Sequence, residues 1–246
     1  MAETNVHEGH RKRLKDRFLQ EGLAGFQDHN VLELLLFYAV PRQDTNPLAH
    51  RLIKRFGSVS GVLSAGVEEL CTVEGVGMQV ATFLKLFPAV TRYTANEVGK
   101  SERYDSLNKL GRLLVQCFAG LTVENVLLVL MDGNSHILDI VTLTEGSVNQ
   151  VRLDTRSLVE HAIRTNASMA VLAHNHPSGI LTASTEDMAV TEAVAKALDM
   201  IDVHFIDHIL VAGNRFESIW SKRHGLFCQK VPKSFYSTAD GDLELE

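Results

Sequence analysis

Cysteine is scarce and badly spaced for any covalent or metal framework: Cys71, Cys117 and Cys228 are odd in number and far apart. Neither a disulfide scaffold nor a CxxC metal knuckle is indicated, and a reducing compartment fits best. Long apolar runs are missing as well. None approaches the roughly 20 residues needed to cross a bilayer, and the opening MAETNVHEGHRKR lacks the apolar core of a signal peptide. The expectation is a cytoplasmic protein with no membrane partner. Positive charge is not in excess either. The formal net charge is −6, with 12 Lys/Arg against 11 Asp/Glu in residues 1–100 and 12 against 19 in residues 101–246. That distribution excludes a broad cationic surface and leaves only a short basic run, GHRKRLKDR (Gly9 to Arg17), as a local patch for phosphate or as the wet face of a first helix.

What is present is an ordinary globular composition, 45% hydrophobic and 22% charged over 246 residues, enough for one large domain or two small ones. The first hundred residues read as helices. NVLELLLFYAV (Asn30 to Val40) carries Asn30 and, three residues on, Glu33, the pattern of a capping box before an apolar helix that Pro41 stops. PLAHRLIKRFG (Pro47 to Gly57) places proline in a first turn and glycine at an end. In VEELCTVEGVGMQVATFLKLFPAV (Val67 to Val90), a short helix, a Glu74-Gly75-Val76-Gly77 turn and a second helix make a helix-hairpin-helix pattern. Gly75 and Gly77 allow the tight bend and turn backbone N–H groups outward, which suits one phosphate of a nucleic-acid backbone, with Lys85 the basic side chain nearby. Glu74 and Gln79 flank the turn, so electrostatic support for DNA is thin, and a compact packing unit explains the same residues.

The polar stretch Thr91 to Ser106 reads as a linker. Beyond it, after a helix over Leu107 to Phe118, strands alternate with helices, which argues for an α/β domain. The strands are Val123–Asp132, His136–Gly146, Ala167–His174, Ile201–Gly213 and Arg215–Trp220, and the helices lie near Thr155–Asn166 and Ser184–Leu198. MDGN (Met131 to Asn134) reads as a hairpin turn. The organisation expected is a helical helix-hairpin-helix domain over residues 1–98, an α/β domain over 105–230 and an acidic, disordered tail over 234–246.

The chemistry concentrates in AVLAHNHPSGILTASTEDMAV (Ala170 to Val190). His174 and His176 are two apart at the end of an apolar strand, so their side chains leave on one side and both imidazoles can reach one ion. Pro177, Ser178 and Gly179 turn the chain. Ser184 stands where a helix should begin, and Asp187 lies in its first turn, able to swing back as an oxygen ligand. Two histidines and one carboxylate with an open fourth position make a catalytic rather than a structural zinc site. Ser-x-x-Asp is also an ordinary helix cap, and the two readings can coexist.

HNHPSG followed by STED matches the His-x-His-x(7)-Ser-x-x-Asp motif of the JAB/MPN metalloproteases. With IDHILV (Ile206 to Val211), the chain specifically resembles the bacterial RadC proteins, a likeness that extends through GHRKRL, LELLL, the EGVG hairpin and Arg42-Gln43-Asp44 to cover about residues 9–227. The resemblance implies a mixed sheet of the JAB/MPN, cytidine-deaminase-like kind with flanking helices. It also implies hydrolysis of an amide or isopeptide bond in a protein or peptide substrate. Zinc would be held by His174, His176 and Asp187, with Ser184 donating to an oxyanion or orienting the water. An upstream glutamate facing the water falls by resemblance on Glu124, at a strand entrance, with Glu145 as competitor. The family's DNA-repair name makes a DNA-binding protein with a structural or vestigial metal site the alternative. The chain departs from the family pattern at ILTAS (Ile180 to Ser184) and at SIWSKRHGLF near the end, where Lys222, Arg223 and His224 stand. His208 in the Asp207-His208 pair reads as a sheet buttress or an outer partner of the metal site. His204 alternates with Ile206 and His208 on one strand face. Trp220 reads as a packing anchor.

Overall fold

The computed structural model describes residues 6–41, 43–99, 102–145 and 155–220, divided into two compact units, residues 1–90 and 91–246. Arg42, Lys222, Arg223, His224, Cys228 and the acidic tail fall outside the described residues.

In the first unit, helices α1 (Val6–Glu21), α2 (Asp28–Ala39), α3 (Asn46–Phe56), α4 (Val59–Ser64), α5 (Val67–Cys71) and the start of α6 (Met78–Gly99) surround an aliphatic core. Leu32, Leu36, Leu52, Leu70 and Leu84 are fully buried there. Each such leucine contributes about 1.5–3 kcal/mol of burial. Helix α2 opens three residues earlier than the capping-box pattern predicts, with Gln27 rather than Asn30 at its N-cap. Glu33 does not cap it. Its carboxylate is buried and accepts from His10 Nε2 at 2.9 Å and Asn46 Nδ2 at 3.1 Å, tying α1 and α3 to α2.

Part of the basic run on α1 is turned onto the protein, while Lys12 and Arg13 are exposed. Arg11 donates to the carbonyls of Val40, Pro41 and Gln43 past the end of α2 and lies over the Phe37 ring; Lys15 lies over Tyr38 and Arg17 over Phe26. These cations close the helix end and cover aromatic faces. Helix α6 continues to Gly99 with Pro88 inside it, so the segment read as a linker begins as helix. Polarity there marks an exposed helical surface rather than a break, since Tyr93, Thr94 and Glu97 are exposed.

The second unit carries α7 (Leu107–Cys117), β1 (Asn125–Met131), β2 (Ile137–Glu145), α8 (Thr155–Arg164), β3 (Met169–Asn175), α9 (Thr185–Asp199), β4 (His204–Ala212) and β5 (Arg215–Ser218). The strands form one sheet in the order β2-β1-β3-β4-β5, antiparallel except for the β3–β4 pair. Asp132 shapes the β1–β2 turn by accepting from the N–H groups of Asn134 and His136.

Strands β1 and β3 are buried at every position, as expected of central strands covered on both faces. Val129, Met131, Val171 and Ala173 pack against α7 on one face; Leu128, Leu130, Ala170 and Leu172 pack against α8 and α9 on the other. Gly111 lets α7 sit close to the sheet, because a Cβ there would stand 2.3 Å from the Phe216 ring. The sheet is thus sandwiched between helices, with the mixed α/β architecture the sequence pattern indicates.

The β3–β4 register slips by one residue between Ala170/Phe205 and Val171/Asp207. This bulge reverses the side-chain alternation of β4. His208, expected on the face of His204, instead pairs with Leu172 and joins the α9 face, while Ile206 and Ile209 both face α7.

Candidate metal centre

The site is built where β3 ends. His174 is in register with Val126 of β1 on one side and Leu210 of β4 on the other, so its imidazole projects from the middle of the sheet toward α9. His176 is one pleat further on, held by its own N–H to Val211 O at 2.8 Å. The turn Pro177-Ser178-Gly179 bends the chain back, with Gly179 at φ +81° and its carbonyl bound by Arg215. Helix α9 then starts at the Ser184 cap. Its first turn carries Asp187, where the helix N-terminus favours a carboxylate.

His174 Nε2 and His176 Nε2 are 3.0 Å apart; Asp187 Oδ1 is 3.5 Å from the first and Asp187 Oδ2 is 3.9 Å from the second. Four-coordinate zinc with bonds of about 2.0–2.1 Å would set ligand atoms about 3.3 Å apart, so the spacing fits such an ion. The proton arrangement fits as well. His176 Nδ1 lies 2.9 Å from the carbonyl of Ile180, which can only accept, so Nδ1 carries the proton and Nε2 offers a lone pair. Two imidazole lone pairs and a carboxylate then face one point. Three acceptors without a donor repel one another unless a cation lies between them. His174 and Asp187 are buried, whereas the His176 side chain is 14% exposed, which sets the solvent-facing side of the cluster. Among the described residues, His174, His176 and Asp187 form a group able to hold a metal ion.

The hydrogen bonds from Ser184 and the start of α9 favour the ionised form of the Asp187 carboxylate. It is ionised throughout the neutral range. Ser184 is committed to this carboxylate: its N–H and its hydroxyl each reach Asp187 Oδ2 at 2.7 Å, and Asp187 N–H returns to Ser184 Oγ at 3.0 Å. A hydroxyl has one proton, and here it goes to Asp187. In this arrangement Ser184 holds the carboxylate in a reciprocal capping box.

Glu124 precedes β1 by one residue and is half-buried. Along the antiparallel β1–β3 ladder each step forward on one strand is a step back on the other. The pairing ends at Val126–His174, so Glu124 lies two residues beyond the last β1 residue paired with β3. Asn175, between the two histidines, points the other way and completes this end of the ladder. Its carboxamide accepts from Asn125 N–H at 2.7 Å and donates to Val123 O at 3.1 Å, gripping the peptide groups on both sides of Glu124. Glu145, the competitor, is paired with Asn125 on β2, and its side chain lies outside the described residues.

Residues 104–226 match the model of the family described as RadC-like JAB domain. The chain belongs to the RadC-like JAB family. It is similar to a UPF0758 protein of Ruegeria pomeroyi, 33% identical over 205 residues that cover 82% of this chain and 91% of that one. It is also similar to a UPF0758 protein of Fusobacterium nucleatum subsp. nucleatum, 28% identical over 220 residues that cover 86% and 95%. A JAB domain with a His-His-Asp group able to take a metal is consistent with hydrolase-type chemistry in this RadC-like chain. Among the described residues no helix is long and apolar enough to cross a membrane.

The nucleic-acid candidates are in the other unit. Gly75 turns the hairpin at φ +91°, a conformation that favours glycine. Gly77 ends the same turn just before α6, and its carbonyl accepts from Ala81 N–H. The Lys85 ammonium donates to the carbonyls of Leu63, Ser64 and Ala65 at 2.8, 3.3 and 3.0 Å, closing the end of α4. Arg51, which spacing does not associate with the hairpin, lies against it instead, its Nε donating to Glu74 O at 3.1 Å.

Two residues behind the metal group were not legible as a pair. His208 Nε2 is 2.7 Å from His174 Nδ1, and His208 Nδ1 is 2.6 Å from Thr191 Oγ1. Thr191 is four residues after Asp187, the spacing that stacks two helical residues on one face, and this was its only signal.

Proposed function

We propose that this RadC-like chain is a zinc-dependent hydrolase of amide bonds, a peptidase or isopeptidase acting on a protein or peptide. The observation that supports it is the convergence of three acceptor atoms, His174 Nε2, His176 Nε2 and Asp187 Oδ1, on a site reached from the His176 side. Two imidazoles and a carboxylate suit zinc among the divalent metals. When bound, zinc supplies Lewis acidity, which acidifies water and polarises a carbonyl.

The chain's own residues do the rest. His174, His176 and Asp187 hold the ion. Ser184 keeps the Asp187 carboxylate aimed. Glu124 takes the proton of the attacking water and hands it to the leaving amine, a role supported by the Asn175 side chain, which ties the peptides on both sides of Glu124 to the residue between the two histidines. Glu124→Gln keeps the size and loses the base. On peptide libraries and ubiquitin-like conjugates it should bind zinc as the wild type does while turnover falls by roughly 10²–10⁴-fold. Equal turnover in the two proteins would remove Glu124 from the mechanism.

A second reading, DNA contact through the helical unit, has one observation in its favour: the Arg51 side chain beside the Gly75 turn. Lys85, the other basic side chain near the hairpin, donates to carbonyls at the end of α4.

A further inference from the structure

We propose that Thr191 and His208 are positioning residues that lock the tautomer of His174, so that its Nε2 permanently presents a lone pair to the metal group. The inference rests on the reading of His174 as a ligand and extends it to two residues that touch neither metal nor substrate. It follows from one atom that cannot donate. The carbonyl oxygen of Asp187 lies 2.6 Å from Thr191 Oγ1, a contact that two oxygens tolerate only with a proton between them. A threonine hydroxyl has a single proton, so it is used there, and toward His208 Oγ1 is purely an acceptor.

His208 Nδ1, 2.6 Å away, must then carry the proton. At the other side of the ring, His208 Nε2 meets His174 Nδ1 at 2.7 Å, and one proton lies between them. If that proton belonged to His208, the ring would be a cation and His174 would be left with its own proton on Nε2, aimed at the His176 lone pair and the Asp187 carboxylate. It would then have no lone pair for an ion. If it belongs to His174, His208 is neutral, both short contacts are satisfied, and His174 Nε2 is bare.

The metal end and the carbonyl end of the chain therefore demand the same direction for every proton. That chain runs His174 Nδ1–H to His208 Nε2, His208 Nδ1–H to Thr191 Oγ1, and Thr191 O–H to the Asp187 carbonyl. It is closed: the last acceptor is the backbone of the residue whose side chain faces His174 Nε2. Histidine ligands commonly give their second N–H to a carboxylate or carbonyl, which fixes the ring and raises its basicity. Here a second histidine passes that function from β3 through β4 to α9, and all four groups are buried. The β4 bulge makes it geometrically available by turning His208 onto the α9 face.

The test uses the full chain and zinc alone. In metal-free wild-type protein with ¹⁵N-labelled histidine, long-range ¹H–¹⁵N spectra at pH 8 should show His174 and His208 each protonated at Nδ1 and bare at Nε2. Either ring protonated at Nε2 overturns the proposal. Thr191→Val, which keeps the volume and removes the hydroxyl, should lose the single-tautomer signature of His208 and weaken zinc binding by about 10- to 100-fold in chelator competition. Thr191→Ser should restore both. Wild-type affinity and wild-type spectra in Thr191→Val would also overturn it. His174→Ala separates this from the reading beneath it: retention of zinc in that variant sinks the ligand assignment, while the tautomers of the metal-free wild type still decide the proton chain.

Discussion

Each unit of the molecule buries a carboxylate beside histidine, and the two differ in what faces them. In the helical unit, Glu33 is fully buried and meets donors: His10 from α1 and Asn46 from the start of α3. In the sheet unit, Asp187 is 3% exposed and meets Ser184 as a donor, but its remaining surroundings are the lone pairs of two imidazoles. The first network is complete and serves packing, because every buried polar atom in it has a partner of the opposite kind. The second has an excess of acceptors that only a cation relieves. A surplus of acceptors, rather than burial or histidine content, separates a site from a structural polar cluster.

The largest effect tests that distinction directly. Asp187→Ala should reduce bound zinc from about one equivalent to near none by elemental analysis, whereas Glu33→Gln should keep the full equivalent. Glu33→Gln should lose stability instead, by about 1–3 kcal/mol in chemical denaturation, as one half of a buried pair is changed. Zinc retained in Asp187→Ala, or lost in Glu33→Gln, would erase the contrast.

A smaller effect sharpens the account of the helical unit. Lys85→Met should weaken protection of the α4 and α6 amides in hydrogen exchange by about 1–3 kcal/mol, because three carbonyls lose a charged donor. Its mobility shift with duplex DNA at low salt should match that of the wild type. A loss of DNA binding with unchanged protection would return Lys85 to the phosphate role that its sequence position suggests.

The smallest effect is a pH dependence confined to the sheet unit. Burial, and then the neighbouring His174, hold His208 well below the ordinary histidine value. Below about pH 6.5 the unfolded chain takes up a proton that the folded chain refuses, so stability is full above that pH and declines as pH falls. Between about pH 7.5 and 5.5 the metal-free protein should therefore lose stability from this group, seen as a fall in its thermal midpoint. Trp220, the single tryptophan, packs on Phe205 in this unit and reports it by fluorescence. A midpoint that rises as pH falls would contradict the neutral, buried His208.

The lesson about legibility lies in the same residues. Helix and strand types followed from hydrophobic period and turn residues, because these act through local geometry that spacing encodes. The cluster His174, His176 and Asp187 was readable for the same reason: strand alternation and a helix cap place all three within a span of 14 residues. Long-range partners were not readable. Glu33 kept the spacing of a cap yet turned to His10, 23 residues away, since a buried carboxylate takes the donors that packing brings to it. Lys85 stood near the hairpin in sequence, but its flexible stem reached carbonyls 20 to 22 residues back.

By itself, then, the amino-acid order determined that there is a helical region before a mixed α/β region, and that two imidazoles and a carboxylate emerge at one strand-turn-helix. Those features need only the periods of helix and strand and the rules of helix ends. Tertiary structure alone decided which way His208 faces, because a one-residue bulge in β4 is set by pairing with β3 and leaves no mark in the sequence. It likewise decided that Asn175 grips the peptides around Glu124 and that Ser184 spends its proton on Asp187. A hydrogen bond is directional and short-ranged, so its partner is chosen only when the chain has brought the atoms within 3 Å.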